Sequence, residues 1–144
     1  MTAPAAPTTV KLGPGLLSIG PTGAELDVSC NLLNARIAAT KNTGTAKRYL
    51  CGTSAPGVTT YDYALNGQID TDVTDDAGLF AYAWANPGVT VDFTYTPNTD
   101  AGVTATGQLV LDPMDFGADE YGAELDSAIA FACVGQPEIT WPTP

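Results

Sequence analysis

The chain has 144 residues, 44% of them hydrophobic and 15% charged, which is enough apolar content to build the core of one domain. It contains no histidine, so the usual general base and the commonest metal ligand are missing. Sixteen acids against five bases give a net charge of −11. That balance argues against general nucleic-acid binding, because phosphate contacts need Lys and Arg.

Residues 1–15 carry Pro4, Pro7 and Pro14 without a charged start or a long apolar run. They read as an extended N-terminal arm, neither a signal peptide nor a membrane span. Leu26, Val28, Cys30 and Leu32 alternate with polar residues, the period of a half-buried strand. Residues 34–57 lack a clear period and contain the turn formers Asn42-Thr43-Gly44 and Ala55-Pro56-Gly57, so they read as a long loop. The clearest strand follows, with Tyr61, Tyr63, Leu65 and Ile69 on one face and Asp62, Asn66, Gln68 and Asp70 on the other.

A short helix is expected over about 75–86. Ala77, Phe80, Ala81 and Trp84 fall at i, i+3, i+4 and i+7 and predict a buried stripe. Thr74 is placed to cap it, and Asn86-Pro87-Gly88 stops it. Val89, Val91, Phe93 and Tyr95 then alternate with polar residues, and the turn at 97–102 predicts a hairpin with Val103–Leu111. A last pair of strands is expected over 125–134 and 138–141. Strands with one helix imply a mainly β fold, a β-sandwich or barrel flanked by that helix, in one domain over 1–144.

Candidate chemistry is thin. Asp70-Thr-Asp-Val-Thr-Asp-Asp76 begins like a calcium loop, but Asp75 stands where glycine is needed and Ala81 where glutamate is needed. The acids of Asp112–Glu120 could serve glycoside hydrolysis, yet Gly and Pro turns explain them as well. Without histidine, Ser-His and Cys-His nucleophiles are excluded. Cys30, Cys51 and Cys133 lack metal-ligand spacing and read as buried, reduced thiols. No catalytic site, metal or cofactor is expected.

Charge is unevenly distributed. All five bases lie at or before Arg48, and residues 49–144 hold fourteen of the sixteen acids. Residues 34–57 hold four bases and no acid, a separation suited to head-to-tail self-association.

Ile19–Asp27, Cys51-Gly52, Leu65–Asp70, Tyr95–Asn98, Leu111–Gly117 and Val134–Glu138 together resemble segments of the major tail proteins (tail tube proteins) of long-tailed bacteriophages. The resemblance implies a β-sandwich with a flanking helix, six-membered rings, and rings stacked into a tube through which the genome passes. It also implies an inner β-barrel shared between subunits and a long loop reaching neighbours. Tape measure and tail-end proteins would be partners, and the chain would sit in the virion tail after assembly in the host cytoplasm. On that basis the polar strand faces bearing Asp62, Asn66, Asp70 and Asp92 are candidates to line the lumen. Arg36, Lys41, Lys47, Arg48 and Trp141 are candidates for contacts between subunits. The alternative reading is a capsid decoration protein or an immunoglobulin-like adhesion domain.

Overall fold

The computed structural model describes residues 9–21 and 23–142. In chain order the elements are β1 (Leu16–Ile19), β2 (Leu26–Asp27), β3 (Leu32–Thr43), β4 (Lys47–Arg48), β5 (Ser54–Ala55) and β6 (Thr59–Asp70). The helix α1 (Leu79–Ala85) follows, then β7 (Thr90–Thr96), β8 (Thr104–Val110), β9 (Asp126–Ala132) and β10 (Glu138–Thr140). A five-stranded sheet has the order β10-β8-β7-β1-β2, and a three-stranded sheet the order β3-β6-β9. Every pairing in them is antiparallel.

The period-two pattern decides which side chains enter the core. Leu17, Ile19, Val91, Phe93 and Leu109 come from the larger sheet, and Leu65, Ile69, Ile129 and Phe131 from the smaller one. All are buried in one cluster. The Tyr95 hydroxyl crosses between the layers and donates to the Ala35 carbonyl at 2.7 Å, and burial raises its pKa. The expected mainly β fold, a sandwich of antiparallel sheets with one helix, is what the chain adopts.

The two sheets are joined where the chain changes layers. The β9 strand pairs with β6 up to Ala132, and the next residue, Cys133, bridges to Leu109 of β8. After the turn at Gly135, β10 continues along β8 with Ile139 opposite Ala105. The expected last pair of strands therefore do not pair with each other. They run one after the other, in different sheets, and make one corner of an open barrel.

The strand expected over Leu26–Leu32 is also broken. Asp27 Oδ1 accepts from both the amide and the hydroxyl of Ser29, an Asx turn that separates β2 from β3. Those bonds hold the Asp27 carboxyl below its ordinary pKa, so the turn stabilises the fold above about pH 4 and loses that contribution as pH falls further.

The largest departure from expectation concerns residues 34–57. They are not a loop. Most of the first half is β3, which pairs with β6 from Leu32↔Ile69 to Thr43↔Thr59, and the rest is capped by the small β4–β5 hairpin. A register shift lies between Leu32 and Asn34, where Gly67 lets the two backbones approach closely. A Cβ at Gly67 would run into the Asn34 carbonyl oxygen. We expect Gly67→Ala to cost about 1–3 kcal/mol through overpacking, read as a lower urea midpoint.

The helix is shorter than expected and rotated. Gly78 is its N-cap, without a side-chain cap bond, while Thr74 instead bonds Asp72. Leu79 and Ala83 are its buried residues. Ala77 lies outside the helix, and Trp84 is 50% exposed, which corrects the expectation of a buried Trp84. A two-turn helix offers several stripes at helical spacing, and the one carrying Leu79 packs on the core. The indole of Trp84 keeps its N–H paired with the Met114 carbonyl at 2.8 Å and leaves its ring open beside Phe80. Leu79→Ala should therefore cost about 2–5 kcal/mol, and Trp84→Ala clearly less. Urea unfolding of the two variants ranks them.

Candidate functional site

The outer face of the smaller sheet collects short polar and acidic side chains. Residues directly opposite in an antiparallel pair share a face. Thr40↔Asp62, Arg36↔Asn66 and Asn34↔Gln68 across β3 and β6 continue into Asn66↔Ala130 and Asp70↔Asp126 across β6 and β9. The structure thus brings together Asp62, Asn66 and Asp70, three of the four residues assigned to a lumen. Asp92 stands apart, on β7 of the other sheet, where Gln108 donates to its Oδ1 at 3.2 Å. Because the two sheets share one core, their outer faces look away from each other. Arg36, assigned to subunit contacts, lies directly opposite Asn66 on this same polar face.

Two features of that face were not legible in the sequence. Asp70 sits directly opposite Asp126, a like-charge pair that a sheet optimised for its own stability would avoid. The loop at 115–119 then brings Asp115 and Asp119 beside Asp126, around a shallow cavity of about 340 Å³ that Gln68 also lines. Among the described residues, no group of three or more His, Cys, Asp or Glu could hold a metal ion. Farther along the acidic run, the Asp72 carboxylate is engaged by Thr74 and Asp75 accepts from the Ala77 amide.

The second surface is the projecting arm. From Ala39 to Thr43 on β3 and Thr59 to Asp62 on β6, every residue is exposed, so this ribbon leaves the core behind. A two-stranded ribbon has little stability of its own in water. Asn42 holds Asp62 across it, Nδ2 to Oδ2, at 2.6 Å. Lys41 stands on the ribbon, and Lys47 and Arg48 form β4 at the tip, all exposed. Gly57 admits Gly44 so closely that a Cβ there would strike the Gly44 carbonyl oxygen, and this contact joins ribbon to tip. The tip turn runs Tyr49-Leu50-Cys51-Gly52-Thr53, closed by the Tyr49 amide donating to the Thr53 carbonyl at 2.8 Å. Leu50 is 107% exposed, and Cys51 Sγ lies 2.7 Å from Thr53 Oγ1, which lowers the thiol pKa. Cys30 is exposed as well and Cys133 half-buried, so the expectation of buried thiols does not hold.

A third surface lies at the opposite end of β3. Residues 12–17, the turn at Ser29–Cys30 and the start of β3 enclose an apolar groove of about 320 Å³. The described part of the expected N-terminal arm is tied down here, with the Gly13 amide donating to the Pro97 carbonyl at 2.8 Å and Asn98 Nδ2 donating to the Lys11 carbonyl at 3.0 Å. Residues 1–8 of that arm lie outside the described residues. Trp141 follows β10, a short edge strand, and is exposed. No helix of the described residues is long and apolar enough to cross a membrane.

No protein-family model matches the chain, and no curated protein matches it in sequence. Among solved structures, it superposes on a chain from the tail of an empty GTA particle, computed with helical refinement and C6 symmetry, with a TM-score of 0.59. The match covers 87% of this chain and 94% of that one, at 18% identity. At such low identity the likeness speaks to architecture. The β-rich fold of this chain is the fold of a protein from a sixfold-symmetric tail, in keeping with its resemblance to tail tube proteins.

Proposed function

We propose that this chain is a structural tail protein, not an enzyme, that assembles into six-membered rings stacked head-to-tail as a tail tube. The observation that carries this reading is the β3–β6 arm. It is a paired ribbon exposed on both sides, bearing Lys41, Lys47 and Arg48 on a chain of net charge −11, and such a ribbon is stabilised by another subunit. The fold shared with a C6-symmetric tail supports the same conclusion.

In the tube, the face bearing Asp62, Asn66, Asp70 and Asp126 lines the lumen. Carboxylates there outnumber the one base on the strands of that face, Arg36, so the lining repels phosphate and lets DNA slide during ejection, whereas a basic lining would hold it. The free edges of β3 and β10 are the joints of the ring, which turns an aggregation hazard into an interface. The whole of 1–144 acts as one tail-tube domain. Its other partners are tape measure and tail-end proteins, and its location is the virion tail, after assembly in the host cytoplasm. Negative-stain microscopy of the purified protein tests this reading. Annular particles and tubes are expected. A monomer or a trimer under all conditions would favour the decoration or adhesion reading instead.

A further inference from the structure

We infer that Leu50, at the tip of the arm, docks into the apolar groove of a second copy of this chain, between Leu12, Leu16 and Leu33. This rests on the proposed tail assembly and deepens it by naming the anchor and its receptor. Leu50 is fully exposed on a turn whose neighbour Tyr49 is also exposed, and both are costly to leave in water. The groove is built from the converse feature, since Leu12, Leu16 and Leu33 stay more than half exposed along its walls and Ala35 and Tyr95 complete its lining. Tip and groove are two halves of one contact.

They cannot meet within one chain. The groove lies at the start of β3 and the tip beyond its end. At about 3.4 Å per residue, the strand alone separates Ala35 from Thr43 by about 27 Å. Pairing with β6 along the whole of that length keeps the ribbon from folding back. Only another copy can supply the tip, and a contact of this kind is heterologous, so it propagates from subunit to subunit. Charge around the groove is balanced, with Asp27 bonded to the groove residue Ser29 and Asp100 in the turn after Pro97 set against Lys11 and Arg36. Burial of Leu50 therefore carries the match, and the basic tip meets no excess of like charge.

The native thiols allow a direct test, because Cys51 follows Leu50 at the tip and Cys30 lines the groove. In a Cys133→Ser background, the assembled protein is treated with a short bismaleimide. A ladder of covalent multimers is expected, since each subunit carries one tip and one groove. Adding Cys30→Ser or Cys51→Ser should abolish the ladder. Leu50→Asp, at a fully exposed position, should fold normally by circular dichroism. It should raise the protein concentration needed for assembly by about tenfold or more, as should Leu33→Asp from the groove side. Tubes without a ladder, and with Leu50→Asp assembling at the wild-type concentration, would overturn the docking and leave the tail reading standing. A wild-type protein that never assembles would overturn both. Cys30 that resists alkylation in unassembled Leu50→Asp protein would show the groove already covered within one subunit and overturn the docking.

Discussion

Reversing Lys41, Lys47 and Arg48 together to glutamate should leave the subunit folded and shorten or abolish its tubes. All three side chains are exposed on the projecting ribbon or its tip, away from the core cluster. Folding one subunit does not depend on them. Each exposed ion pair is worth only about 0–1 kcal/mol, but a tube repeats every pair at every joint. Three sign changes on an already acidic body replace attraction by repulsion at each contact. Wild-type assembly should also weaken as salt rises, because surface pairs are screened. Far-ultraviolet circular dichroism and tube length by electron microscopy are the two readouts. A folded triple variant making long tubes at the wild-type concentration would remove the arm from the interface.

The second large effect is on the fold itself. Phe131→Ala should cost about 3–5 kcal/mol, a large share of the roughly 5–15 kcal/mol that holds a typical domain together. Phe131 is 1% exposed, pairs through its backbone with Leu65, and sits two residues before the bridge that links the sheets. Its ring fills the layer between them, so truncation leaves a cavity at the corner of the barrel. Urea unfolding followed by tyrosine and tryptophan fluorescence measures the loss. A shift below about 1 kcal/mol would mean that the core near β9 collapses around the gap.

The contrast between these variants explains what the sequence disclosed. The β6 strand and the β7–β8 hairpin were legible because Leu65, Ile69, Val91, Phe93 and Leu109 each face a core, and a core imposes a period of two. Distal β3 was not. Thr40, Lys41, Asn42 and Thr43 bury neither face in one subunit, so no hydrophobic period marks them and their turn-forming residues dominate. The helix stop at Asn86 was clear, yet seven residues fit the Phe80–Trp84 stripe and the Leu79–Ala83 stripe alike, and only packing chose between them. Charge segregation pointed to the arm directly. Which acids share a face depends on sheet membership, a property of distant pairings. Asp92 therefore separated from Asp62, and Asp115 and Asp119 joined Asp126 unannounced.

Exposed hydrophobic side chains follow the same logic. Tyr49, Leu50, Leu33, Ile139 and Trp141 are a poor surface for a lone subunit, and they lie at the arm, the groove and the free edge of the larger sheet. Each is a place where a ring or a stack would continue. On the acidic face of the smaller sheet the strands carry no large exposed hydrophobic residue, although Phe116 of the neighbouring loop is exposed beside Asp126, and the paired Asp70 and Asp126 repel across β6 and β9. In the proposed tube the first surface is covered and the second stays wet.

A helical reconstruction of tubes grown from the purified chain would test this division most directly. The expected map has sixfold rings, with the outer face of β3, β6 and β9 toward the axis and Asp62, Asn66, Asp70 and Asp126 in contact with the lumen. The arm should cross into a neighbouring subunit. A lumen lined instead by the outer face of the larger sheet around Asp92, or an arm lying free in solvent, would contradict it.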